Sequence, residues 1–209
     1  GVDARKDLVE IQISEGQHPA FLGSVSGINI GPECATNVPG LFAGGACTVS
    51  VGSLSGAMCV GDAAGEGAAN FVLNGGGGRL EADEDKIKEI KASLYQHLSN
   101  TEGFKPCELE EKLRQVMGLY VSVGRTKMGL ENAKAELAKL SNLFNSAKAE
   151  NLHELMRLYE FRDLLEVAQA VVRGALIREE SRFGLSHYRG DFPETREEWH
   201  CSLHQKLEK

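Results

Sequence analysis

The sequence is first informative for what it lacks: a CxxC cysteine pair, a basic leader, an apolar run of membrane length and an excess of positive charge. Across 209 residues the formal net charge is -7 and the pI is near 5.4. No broad basic surface is available, so nucleic acid and anionic membranes are poor partners. Residues 1 to 16, GVDARKDLVEIQISEG, have neither the charged start nor the apolar centre of a signal peptide. No stretch approaches the roughly 20 apolar residues of a transmembrane segment. The expectation is a soluble, cytoplasmic protein. The five cysteines, at 34, 47, 59, 107 and 201, are odd in number and lack neighbouring ligands for zinc, which points to reduced thiols and no metal centre.

Catalytic and nucleotide signatures are also missing. Neither glycine-rich stretch has the GxGxxG spacing, and no acidic residue follows at the distance that would meet a ribose. The run Asn74 to Gly78 lacks a preceding strand and a following Lys-Ser or Lys-Thr, so it reads as a helix terminator and hinge rather than a phosphate loop. A hydrolase built on Ser53 or Ser55 has no GxSxG elbow behind it. The six histidines are scattered at 18, 97, 153, 187, 200 and 204 and read as surface or capping residues, His187 apart. His200 and His204 have i, i+4 spacing but no glutamate between them, as a helical metal pair would need.

What is present divides the chain. Residues 1 to 78 hold 17 of the 24 glycines, whereas the following residues are rich in Leu, Glu, Lys and Ala at helical spacing. The predicted fold class is α+β: a small glycine-rich α/β portion over 1–78, then an α-helical bundle with an extended C-terminal tail over 79–209. Apolar stripes predict helices over Asp83 to Ser99 (Ile87, Ile90, Leu94, Leu98), Glu108 to Ser122, Thr126 to Ala147, and Asn151 to about Arg182. These stripes need one another, and a small bundle satisfies them.

In the first portion, Leu8 to Ile13 and Ser26 to Ile30 are candidate strands. VPGLFAGGA, residues 38 to 46, combines a proline turn, a short apolar strand and two glycines where it stops. Ser53 to Phe71 carries small residues on almost every turn, so such a helix lies tight against a sheet or a ligand. With Ser53 where a cap would stand, its positive N-terminal end suits an anionic or carbonyl-bearing group. Near the other end of the chain, SRFGLSHYRGDFPE, residues 181 to 194, concentrates charge. We read it as a structural clasp rather than a catalytic cluster, with Arg182 or Arg189 paired to Asp191 or another carboxylate and Tyr188 and Phe192 packed on the bundle.

GLFAGGA, GSLSGAMCVGDAAG, LRQVMGLYVSVGRTKMGLENAKAEL and ALIREESRFGLSHYRGDFPETREEW together, in this order, resemble the C-terminal part of succinate dehydrogenase/fumarate reductase-type FAD flavoproteins. The wider group includes L-aspartate oxidase and the adenylylsulfate reductase α subunit. The tail is the most specific piece: Glu180, Ser181, Arg182, His187, Tyr188, Arg189, Asp191, Phe192, Pro193 and Trp199 match the family pattern. The resemblance implies a split FAD-binding domain whose last segment is residues 1–78. It assigns cofactor contact to Gly44, Gly45 and Ala46 in the turn and to Ser53 and Leu54 at the helix start, with no catalytic or metal residue in this chain.

Two departures qualify what the resemblance implies. Ala46 stands where the family has a glutamate that holds the cofactor's sugar chain. Only CTVSVG, residues 47 to 52, fills the place of a longer family segment whose arginine grips a substrate carboxylate, and no arginine lies between Gly23 and Gly78. This argues against succinate or fumarate as substrate and makes the connection more like the adenylylsulfate reductase branch. The GxGxxG unit, the capping domain and the general-acid arginine of the family are not in the sequence. The expectation is therefore a C-terminal fragment or subunit of an FAD-dependent oxidoreductase, inactive alone. It would bind FAD only with the missing N-terminal portion, supplied by the same flavoprotein or by a separate subunit, and an electron-transfer subunit is a further candidate partner. The alternative is a non-enzymatic helical interaction module that retains the family fold.

Overall fold

The computed structural model describes residues 26–48, 53–78, 82–122, 124–182 and 187–206. The candidate strand Leu8 to Ile13, residues 49–52 and the turn at Gly184 lie outside the described residues. The chain divides into two compact units near residue 80. Among the described residues, no helix is long and apolar enough to cross a membrane.

In the first unit, one helix, α1 (Ser53–Leu73), is flanked by an irregular segment, residues 26–48. The segment is held by its own turns: Cys34 N donates to Gly31 O (3.0 Å), Ala43 N to Cys34 O (3.0 Å) and Thr36 N to Leu41 O (2.9 Å). The expected strands around Ser26 to Ile30 and in VPGLFAGGA are single bridges here, Ile28 to Thr48 and Ala35 to Phe42.

The small-residue face of α1 is filled by this segment. A Cβ on Gly44 would come within 2.7 Å of Val60 O and 3.1 Å of Ala64 Cβ, and one on Gly67 would run into Glu33 O. Cys34 is buried with its thiol 3.7 Å from Val60 O, and Phe42 meets Phe71 edge to face at 5.9 Å. Backbone against backbone at this distance explains the glycines, because any side chain would hold the two apart.

The second unit is built on α3 (Pro106–Tyr120), α4 (Lys127–Asn145) and α5 (Leu152–Ile177). Their starts are set locally. Pro106 occupies the first turn of α3, where its missing N–H costs nothing. Thr126 Oγ1 accepts from Gly129 N at 3.2 Å, and Asn151 Oδ1 accepts from Glu154 N at 3.0 Å. Leu109, Leu130, Leu137, Leu158 and Phe161 are essentially inaccessible and form one core with Leu113, Leu140, Leu165 and Val172. This is the predicted helical bundle. His97, in a short 3-10 turn, corrects the surface assignment: it is fully buried, its Nδ1 3.0 Å from Ala147 O and its ring against Phe144 and Tyr159.

Helix α2 (Glu84–Tyr95) departs from the bundle expectation. Its stripe is amphipathic as predicted, yet Ile87, Ile90 and Leu94 are 40%, 50% and 37% exposed. The sequence specifies an apolar face without specifying what covers it. Helix α5 stops at Ile177 rather than near Arg182, and the cause lies in the tail. Arg189 Nη1 donates to Ala175 O (2.6 Å) and to Arg178 O (3.3 Å), so a guanidinium replaces the next turn's N–H groups at the negative end of the helix. Two short parallel strands, β1 (Gly124–Arg125) and β2 (Tyr188–Arg189), pair Gly124 with Tyr188 and Arg125 with Arg189.

Candidate functional site

Two places concentrate chemistry, one in each unit. In the first, Gly45–Cys47 form a single 3-10 turn. Gly45 has φ +80, a left-handed conformation that suits glycine. The turn is pinned on both sides: Thr48 Oγ1 donates to Gly45 O at 2.8 Å, and Ile28 N donates to Cys47 O at 2.8 Å. Thr48 is buried, while Ala46 and Cys47 are exposed. The Cys47 thiol lies 3.2 Å from Gly44 O.

Helix α1 begins at Ser53. Its first-turn N–H groups have no intrahelical acceptor, and their partial positive charge faces the start of the helix. Leu54 beside them is 73% exposed and Met58, one turn on, is 67% exposed. Backbone donors at a helix start beside exposed apolar surface suit a group that presents anionic or carbonyl oxygens. Residues 24 to 78 contain no Arg, Lys or His, so the donors this portion offers an anion are backbone N–H groups. The structure thus has a glycine turn with Gly44 and Gly45 half-buried and Ala46 exposed, and a helix start at Ser53 and Leu54, all in one unit.

The second place is the tail, where the opposed charges are satisfied internally. Glu180 is fully buried. Its Oε1 accepts from Arg178 Nη1 (2.6 Å) and Arg182 Nε (2.9 Å), and its Oε2 from Arg182 Nη2 (2.9 Å) and Arg196 N (3.1 Å). Those hydrogen bonds, Arg182 foremost, outweigh burial and hold the Glu180 carboxyl at about 2. Arg189, also buried, forms a two-point pair with Asp191: Nε to Oδ1 at 2.9 Å and Nη2 to Oδ2 at 2.8 Å. Asp191 also accepts from Lys127 N at 2.9 Å, and its carboxyl too is held at about 2, chiefly by Arg189.

Ser181 adds a second layer. Its Oγ accepts from Arg189 N at 2.8 Å and lies 2.8 Å from Phe192 O. The guanidiniums of Arg189 and Arg196 each lie over the Phe192 ring, 5.0 and 5.3 Å from its centre. Among the described residues, these charged and polar groups are partnered by one another. The stretch is a clasp. Glu180, its centre, lies outside the charge pattern of residues 181 to 194, as do its partners Arg178 and Arg196.

Residues 110–207 match the family model described as fumarate reductase flavoprotein C-term. An FAD-dependent oxidoreductase of Methanocaldococcus jannaschii is 33% identical over 212 residues, covering 97% of this chain and 37% of the relative. A fumarate reductase flavoprotein subunit of Helicobacter pylori is 31% identical over 193 residues, covering 84% of this chain and 26% of the relative. Among solved structures, Mycobacterium smegmatis Sdh1 in complex with UQ1 is similar at a TM-score of 0.75 and 28% identity, over 83% of this chain and 31% of that one. The chain therefore spans less than two-fifths of the length of these relatives.

Proposed function

Because the chain belongs to the C-terminal part of the succinate dehydrogenase/fumarate reductase-type flavoproteins, we propose that it completes the flavin site of an FAD-dependent oxidoreductase together with an N-terminal portion. The observation that carries this reading is that one unit holds both the pinned turn at Gly44, Gly45 and Ala46, with Ala46 exposed, and the start of α1 at Ser53 and Leu54, with Leu54 exposed. When bound there, FAD would supply the electron-accepting ring. The chain's own part is electrostatic and positional. The α1 N–H groups favour negative charge at the ring edge, and the Gly44 contact with α1 fixes the turn.

The N-terminal portion, of the same flavoprotein or of a separate subunit, supplies what residues 24 to 78 lack: cations for the pyrophosphate and for any anionic substrate. Several apolar faces are consistent with such a partner. Ile87 and Ile90 on α2 and Leu164 and Val167 on α5 are 40 to 61% exposed, more than core-facing residues of a finished protein need be. The isolated chain is then catalytically incompetent. An electron-transfer subunit receives or delivers the electrons, and the free thiols suit the cytoplasm.

The direct test is the visible absorbance of the purified chain. We expect a colourless protein that takes up no FAD on titration. A yellow protein with one FAD per chain would overturn the reading.

A further inference from the structure

His187 is only 7% exposed and is held from two sides. Its Nδ1 lies 3.2 Å from Arg125 Nη1, and its Nε2 lies 3.2 Å from Arg178 O. A guanidinium has donors only and a carbonyl accepts only. Nδ1 must therefore be the bare acceptor, and Nε2 must carry the proton. The two partners fix one tautomer of a neutral ring, and they come from β1 and from the end of α5, so the ring ties both to the entry of β2.

The charges around it all have one sign. Arg125 faces the ring from β1, Arg178 from the end of α5 and Arg189 from β2. Arg178 is paired with Glu180 and Arg189 with Asp191, whereas Arg125 meets no carboxylate among the described residues. The Arg125 Nε donates instead to the Val121 and Ser122 carbonyls. A proton on Nδ1 would set N–H against N–H and add a cation to three guanidiniums.

We propose that His187 makes the β1–β2 clasp proton-sensitive: the neutral imidazole closes it, and protonation in acidic solution releases Arg125 and loosens β1 from β2 while the helical core stays intact. Burial first, and then the three arginines, hold the imidazole below its ordinary value of 6.5, against the Arg178 carbonyl, which raises it. A group whose folded value is lowered contributes stability that is whole above 6.5 and is lost as pH falls below it. Glu180 and Asp191, held at about 2, lose their contribution only below the ordinary carboxylate range. The His187 window opens at 6.5 and those of the carboxylates at 4.5 and 3.8, so the clasp begins to loosen before its ion pairs do.

The test is a nuclear magnetic resonance titration of the full chain. At pH above 7 the His187 nitrogen shifts should show the Nε2–H tautomer, and its midpoint should fall below 6.5. Protection of the Gly190 amide, which donates to Arg125 O at 2.7 Å, should drop as pH falls from 6.5 to that midpoint. The loss should be about tenfold for each pH unit by which the midpoint lies below the ordinary value. Amides of Leu165 and Val172 should keep their protection. Arg125→Gln should raise the midpoint. An Nδ1–H tautomer, a midpoint at or above 6.5, or Gly190 protection that stays level through the titration would each overturn the proposal. The unmodified chain gives all three readings, so it does not depend on the variant folding.

Discussion

Replacing Glu180 with glutamine keeps the side chain's shape and removes its charge, and the geometry predicts a large loss. Wild-type Glu180 accepts four hydrogen bonds, three from two guanidiniums and one from the Arg196 amide. The amide of Glu180→Gln keeps one oxygen acceptor and points an NH2 group at cationic donors. Arg178 and Arg182 are only 12% and 23% exposed at their side chains, so neither reaches water freely. Breaking a buried pair by removing one partner costs about 3–5 kcal/mol, most of it the unpaired charge left behind. Partial exposure of the arginines places the expected loss near 3 kcal/mol, at the low end of that range of about 3–5 kcal/mol. With a urea slope of about 1–3 kcal/mol per molar, the clasp transition should move to lower urea by at least about 1 M. Trp199 is a built-in reporter, since its carbonyl accepts from Arg178 Nη1 at 2.8 Å and its ring lies under that guanidinium at 5.5 Å. Following Trp199 emission beside far-ultraviolet circular dichroism separates the clasp from the helices, because a two-unit chain need not unfold in one step. A shift under about 0.5 kcal/mol, the size of an ordinary surface substitution, would refute the claim that Glu180 centres the clasp.

Other outcomes follow from the same structure. Leu137→Ala opens a void in the α3–α4–α5 core and should cost about 2–5 kcal/mol in thermal or urea unfolding. Asn151→Ala removes the α5 cap and should cost about 1 kcal/mol by the same measurement. Acid should weaken the clasp further as pH falls from 4.5 for Glu180 and 3.8 for Asp191 toward about 2. Both folded values are lowered, so their stabilisation is present above the unfolded values and is lost on descent, as Trp199 emission should show. Ile90→Glu on the exposed face of α2 should change the stability of the chain by under about 0.5 kcal/mol, yet weaken capture of an N-terminal flavoprotein portion in a pull-down titration.

Much of the second unit was legible because its information is local. Leu109 and Leu113, Leu130 and Leu137, and Leu158, Phe161 and Leu165 recur at helical spacing, and each set is buried as that spacing requires. The Arg189–Asp191 pair was legible because the residues are two apart and opposite in charge. What the sequence hid was long-range. The end of α5 depends on Arg189 arriving from twelve positions beyond Ile177 to take its last carbonyls. His97 is buried because Phe144, Ala147 and Tyr159 close around it, contacts that no local pattern encodes. In the first unit the glycine face of α1 announced close packing, but residues 31–48 as its occupant could not be read. Cys34 at φ +58, a turn residue with its thiol inward, carried no signal at all. The helix start at Ser53 and the turn at Gly45 were both expected. The feature that joins them, Gly44 against Val60, is a tertiary contact between positions sixteen apart, beyond the reach of any local pattern.

The central claim is that this chain completes a flavin site it cannot form alone. Replacing the matched segment of the Methanocaldococcus jannaschii relative with this chain tests it directly, with bound FAD per polypeptide as the measurement. Stoichiometric FAD is expected in the chimera and none in the isolated chain. A chimera carrying Gly44→Val should lose FAD, because the added side chain would force the turn off α1. Full FAD binding by the isolated chain, or a folded chimera without FAD beside a relative that retains it, would contradict the claim.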